Sequence, residues 1–198
     1  MILRLIRARA GTEQVVALCR ALDQGPGTAA HEPRGLVRYH LGSRPGADGD
    51  EILLLSFWTT FEAAAEADKR GTSPLAIAQG HLGAEMIAAH YEIDETILRH
   101  SDEDPVALRV GKGTFSKPGA DIEMLELLRQ RAPIMGDEMA EAYVGRRLAG
   151  RAIEVVFVSA WSKVPEGVDL ELALWPDIAL RYDSFGVEVY GAVQLPPD

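Results

Sequence analysis

The sequence predicts an α+β protein built from two copies of one βαββαβ unit, and three observations carry that prediction. An apolar strand closed by Ser-x-Trp occurs twice, as Glu51-Ile-Leu-Leu-Leu-Ser-Phe-Trp58 and as Glu154-Val-Val-Phe-Val-Ser-Ala-Trp161, which sets the repeat at 103 residues (58 to 161). Just upstream, Val37–Arg44 lines up without a gap on Val144–Arg151. The order of elements in each half is the same. A repeat near half the chain is too long for a solenoid and implies a domain-sized unit.

The elements follow in order. Ile2–Ala10 alternates as a strand, with Leu3 and Leu5 opposite Ile2 and Ile6. Val15, Leu18, Cys19 and Leu22 then recur at helical spacing over Glu13–Leu22, with Thr12 as the expected N-cap. Gly25-Pro26-Gly27 ends that helix. Leu36–Leu41 and Glu51–Trp58 are strands joined by a turn over Ser43–Asp50. Thr59-x-x-Glu62 predicts a capping box opening an alanine-rich helix, and Ser73-Pro74 opens another. Ile87–Leu98 alternates again. In the second half the strands are Val106–Phe115, Glu141–Leu148, Ile153–Trp161 and Gly186–Leu195, with helices over Asp121–Arg131 and Leu170–Tyr182.

This βαββαβ order is the ferredoxin-like split unit, a four-stranded antiparallel sheet with both helices on one face. Its other face is apolar and needs a partner. Two such sheets in one chain meet that need by packing face to face as an intrachain α+β barrel of the dimeric type. The expected domains are residues 1–100 and 105–198, joined by the acidic stretch His100–Pro105.

Composition removes several function classes. A net charge of −10 opposes binding to a phosphate backbone, so no nucleic-acid partner is expected. No apolar run reaches the ~18–20 residues of a membrane span. The charged N-terminus lacks the core of a signal peptide, so the expected compartment is the cytoplasm. One cysteine, Cys19, excludes an internal disulfide framework, and its helical setting reads as packing. Gly111-Lys112-Gly113 lies inside a strand pattern and is no phosphate loop.

The stretches Leu55-Ser56-Phe57-Trp58-Thr59-Thr60-Phe61-Glu62-Ala63 and Val158-Ser159-Ala160-Trp161-Ser162 resemble the dimeric α+β barrel superfamily. Within it they are most similar to antibiotic-biosynthesis-monooxygenase-type domains, here as two tandem copies spanning essentially the whole chain. The resemblance implies the fold above, pairing of chains through strands into a homodimer, and a small hydrophobic or aromatic ligand. It also implies an activity range that includes cofactor-independent oxygenation of phenols, so no cofactor and no metal are expected. The haem-degrading branch uses an Asn on the first strand, a Trp on the third and a His on the following helix. This chain contains no asparagine at all, so that triad cannot be assembled.

The candidate residues follow. Trp58 and Trp161 read either as an aromatic wall for a planar ligand or as core, and Tyr39 joins them as a ligand contact. Arg38 and His40 share a strand face with Leu36, and the gapless alignment puts Arg147 opposite His40. An imidazole that accepts a phenolic proton, beside arginines that hold the resulting anion, gives the expected catalytic set His40, Arg38 and Arg147. The same face reads equally as a charged strand edge. His90, Glu92 and Asp94 alternate on one strand and span too far for one ion. Two functions stay open: a cofactor-independent monooxygenase acting on an aromatic phenol, and a non-catalytic small-molecule-binding protein.

Overall fold

The structure, a computed structural model, describes residues 1–25, 33–82, 85–98, 104–117, 119, 121–123, 125–126, 139–149, 152–163 and 184–193. Its elements are β1 (Ile2–Ala10), α1 (Thr12–Gln24), β2 (Leu36–Arg44), β3 (Asp50–Trp58), α2 (Phe61–Lys69), α3 (Pro74–Leu82), β4 (Met86–Leu98), β5 (Ala107–Phe115), β6 (Met139–Ala149), β7 (Ala152–Trp161) and β8 (Ser184–Ala192). The expected helix Leu170–Tyr182 and most of Asp121–Arg131 lie outside the described residues. The chain divides into two compact units, Met1–Tyr91 with Ala192–Asp198, and Glu92–Gly191.

In the first unit the strand order is β4-β1-β3-β2, the ferredoxin-like order, with β3 antiparallel to both β1 and β2. The two-residue pleat sorts the side chains. Ile6, Ala8, Ala10, Ile52 and Leu54 turn toward the helices and pack against Val15, Leu18, Cys19 and Leu22 of α1. Trp58 sits under α2 against Ala64 and Ala67. Leu3, Leu5, Leu53, Leu55 and Phe57 point to the opposite face, here called the far face, and are also buried.

The caps of α1 and α2 differ from expectation by one residue each. Gly11, not Thr12, is the N-cap of α1, because the Gln14 side chain accepts from the Gly11 N–H at 2.9 Å. Thr60, not Thr59, caps α2, its hydroxyl accepting from the Ala63 N–H at 3.1 Å. Ser73 caps α3 as its Ser-Pro start predicts, accepting from the Ala76 N–H at 3.0 Å.

A β-bulge between Leu36 and Arg38 has the larger consequence. Leu36 pairs with Trp58 and Arg38 with the very next residue, Phe57, so Val37 is the extra residue. Leu36 therefore joins Trp58 on the helix side, while Arg38 and His40 lie on the far face; the shared face expected for all three is corrected.

The second unit repeats the order as β8-β5-β7-β6, with the end of β4 from Glu92 pairing beyond β6. Ala107, Phe115, Met139, Ala142, Val144, Val155, Phe157 and Trp161 form its helix-side core with Leu125. The matching bulge lies between Met139 and Glu141, Met139 pairing with Trp161 as Leu36 pairs with Trp58. This register carries the spacing of the two tryptophans through β2 and β6. His40 and Tyr143 are then equivalent, as are Arg44 and Arg147. The gapless alignment of Val37–Arg44 on Val144–Arg151 is thus out by four residues. The ion pairs agree: Arg44 binds Glu51 at 2.5 Å and Arg147 binds Glu154 at 2.9 Å.

Leu18 is fully buried at the contact of α1 with the first sheet. Leu18→Ala is expected to cost about 2–5 kcal/mol in urea unfolding, as a cavity in a packed core does.

Candidate functional site

The far face of the first unit can be read row by row from the strand register. Phe57 lies between Leu3 and Arg38, Leu55 between Leu5 and His40, and Leu53 between Arg7 and Gly42. The middle of this face is therefore an apolar floor, and its β2 margin is cationic. Arg38 and His40 are half-buried neighbours on that margin. The imidazole meets Phe57 edge-on, with ring centroids 6.1 Å apart.

The other predicted residues are not brought to this face. Tyr39 points to the helix side, where its hydroxyl donates to the Leu22 carbonyl at 3.2 Å. Burial, then Asp23 and Cys19, push its phenol above the ordinary value, which keeps it protonated and donating. Trp58 is 0% exposed under α2, and its indole N–H is taken by Ser56 at 3.0 Å. In the second unit Trp161 repeats this, donating to Ser159 at 2.8 Å. Arg147 lies on the second unit's far face, bound to Glu154, which also holds Lys112 at 3.3 Å. The aromatic ring that accompanies His40 is Phe57, and neither tryptophan shares its face.

A second constellation was missed from sequence. Arg4 on β1, only 1% exposed, lies opposite Ser56 in the register and 5.9 Å from the Trp58 ring. Its Nη1 and Nη2 form a fork on Asp68 of α2 at 2.7 and 2.8 Å, and its Nε donates to His90 Nε2 at 2.8 Å. His90 is thereby held with a lone pair on Nε2, the neutral tautomer that carries its proton on Nδ1. Asp68 also accepts from the hydroxyl of Ser73, the cap of α3. One guanidinium thus ties β1 to β4, α2 and the start of α3. The second unit repeats the sheet half of this arrangement: Arg109 on β5 pairs with Ser159 and lies 5.2 Å from the Trp161 ring.

Arg146, on the helix side of β6, binds Asp94 at 2.7 Å and Asp121 at 2.6 Å. The hydrogen bond it donates to Asp94, more than the one to Asp121, holds its guanidinium above its ordinary pKa. Asp94 is therefore an ion-pair partner. No group of three or more His, Cys, Asp or Glu among the described residues is arranged for a metal ion. The Cys19 thiol is pushed up by burial and by Asp23, which fits packing and not nucleophilic duty. A cavity of about 390 Å³ lies away from His40, between α1 and α3 near Ala21, Thr72, Ile77 and His81. No helix among the described residues is long and apolar enough to cross a membrane.

No family model matches the chain, and no curated protein matches it. Solved structures do. A protein from Fusobacterium nucleatum provisionally named a monooxygenase is similar at a TM-score of 0.70 and 10% identity, over 98% of this chain and 92% of its own. Another so named, from Lactobacillus acidophilus, gives 0.69 and 12% over 98% and 99%. An uncharacterized ferredoxin-fold protein from Listeria monocytogenes, related to antibiotic biosynthesis monooxygenases, gives 0.51 and 8% over 98% and 96%. The likeness is one of fold: nearly the whole chain shares the ferredoxin-like α+β fold of these structures.

The Arg4–Asp68 pair is mostly withdrawn from water, with side-chain exposures of 2% and 29%. Asp68→Ala leaves the buried cation without its counter-charge and is expected to cost about 3 kcal/mol in chemical denaturation. Arg4→Met combined with Asp68→Leu is expected to recover part of that loss, because neither charge then remains to be desolvated.

Proposed function

We propose that this protein binds a small aromatic molecule bearing a phenol or carboxylate on the far face of its first unit, and oxygenates it without a cofactor. The observation that carries this reading is the side-by-side placement of Arg38 and His40 on one margin of the apolar floor formed by Phe57, Leu55 and Leu53. The half-buried margin offers a proton acceptor and a fixed cation, with Phe57 packed edge-on against the imidazole. Trp58 and Trp161 are outside this reading, since each is buried on the helix side with its N–H bound to a serine.

His40 takes the phenolic proton, and Arg38 holds the resulting phenolate by a charge-assisted hydrogen bond. The electron-rich ring then reacts with dioxygen itself. One oxygen atom becomes a carbonyl on a ring carbon in place of its single hydrogen, and the phenolic oxygen becomes the second carbonyl of a quinone. The C–H and O–H hydrogens leave with the other oxygen atom as water, so the step balances without an outside reductant. Removing a base in this role lowers rates by about 10²–10⁴-fold.

A specific observation also favours the binding-only reading. In the haem-degrading branch of the superfamily that the chain resembles, catalysis rests on a first-strand residue, a third-strand Trp and a following helix. Here the first-strand residue that meets Trp58 is Arg4, and it is bound to Asp68 of the following helix. The two readings share the ligand and differ in turnover.

Oxygen uptake and thermal unfolding with a panel of polycyclic phenols separate them. The enzyme reading expects uptake that falls at least ~10²-fold in His40→Ala while the ligand still stabilises the variant. Stabilisation that Arg38→Ala abolishes, with no uptake by the wild type, leaves the binder. Neither uptake nor stabilisation removes both.

A further inference from the structure

The two far faces can be compared position by position, because the bulges and the Trp pairings fix one register for both units. Most positions keep their class. Leu5 and Leu55 become Val110 and Val158, and Arg7 becomes Lys112. The margin beside them does not. Where the first unit has Arg38, paired with Phe57, the second has Glu141, paired with Ala160. Where the first has His40, the second has Tyr143.

The replacement is a reversal of charge and also a closure. The Tyr143 hydroxyl donates to Glu141 Oε2 at 2.8 Å, and the two residues are only 3% and 5% exposed. The aromatic ring of Phe57 is reduced to a methyl group in Ala160. An anion seated there would meet a carboxylate in place of a guanidinium, in surroundings where charge repulsion is weakly screened. It would also meet a phenol whose proton is already given to Glu141.

We infer that the chain carries a single anion-selective ligand site, on the first unit, and that Glu141 with Tyr143 bars the same ligand from the second. The inference rests on the functional reading above and deepens it. An internally repeated fold here offers one receptive margin and one that refuses.

The test titrates the whole chain with 1-hydroxy-2-naphthoate, which carries both a phenol and a carboxylate, by calorimetry and by mass spectrometry of the intact complex. One molecule per chain is expected, with affinity at least about tenfold weaker in Arg38→Gln, which loses the charge-assisted bond. Glu141→Gln keeps a hydrogen-bond acceptor for Tyr143, and its first-site affinity is expected within about twofold of the wild type. The double exchange Glu141→Arg with Tyr143→His, checked for folding by thermal unfolding, is expected to add a second, weaker binding event. Two molecules per wild-type chain would overturn the single site and leave the functional reading standing. So would a loss in Glu141→Gln as large as in Arg38→Gln. A folded double variant that still binds one overturns the role given to Glu141. No binding by the wild type removes the functional reading, and this inference with it.

Discussion

A strand shows each side chain to one face of its sheet, and in this protein one extra residue in β2 decides which chemistry goes where. Without the bulge at Val37, the pleat would carry Leu36, Arg38 and His40 to a common face. Trp58 would then have no Leu36 beside it. With the bulge, Leu36 stays in the helix-side core while the cation and the imidazole turn to the far face. The same device at Ala140 keeps Met139 in the second unit's core and turns Glu141 and Tyr143 away from it. The core and the candidate site are thus separated by backbone irregularities, each one residue long.

Arg4 and Arg109 show the complementary arrangement. A guanidinium on the helix side of a sheet is costly to desolvate unless its donors are matched. Arg4 matches three of them with a forked carboxylate and an imidazole, and rests near the face of an indole. Asp68 is well placed for this because α2 begins right after the Trp58 strand and α3 is capped by Ser73, which shares that carboxylate. The cluster fixes how two helices and two strands meet, and it consumes the polar groups that surround the tryptophan. This is a physical reason for the separation of Trp58 from the candidate ligand face.

How much of this was legible in the sequence differs by feature. The third strand was readable because Leu53 and Leu55 alternate with Ile52 and Leu54, which are apolar too, so the element was clear while its faces were not. The bulges were invisible: Val37 and Ala140 are ordinary strand residues, and nothing in their types announces an extra position. That concealment produced the false pairing of His40 with Arg147, since Val37–Arg44 and Val144–Arg151 share a Val, a Leu and an Arg at aligned positions by coincidence. The pairing of Glu51 with Arg44 and of Glu154 with Arg147 was available as a correction, one acidic residue starting each third strand and one arginine ending each second. Arg4 and Arg109 also left a trace, each a cation with apolar residues on both sides in the first strand of its half. A charge inside an apolar strand reads as an edge until its partner is known, and Asp68 lies on a helix far along the chain.

The matching strand order and register of the two units therefore carry information that one unit alone would not. Where both units keep a residue class, as with the serine-bound tryptophans and the buried arginine beside each, the fold alone accounts for the choice. The same sheet, bulge and cap requirements act on both copies, so they cannot explain a difference between them. Arg38 against Glu141, and His40 against Tyr143, are differences at matched register positions, and the neighbour of the first changes with them from Phe57 to Ala160. Packing tolerates either pair, since Leu55 and Val158 beside them are both buried aliphatic residues. What distinguishes the two margins is charge and proton affinity, the properties that act on a ligand and not on a core. It is this asymmetry that directs attention to β2, more than any one residue on it.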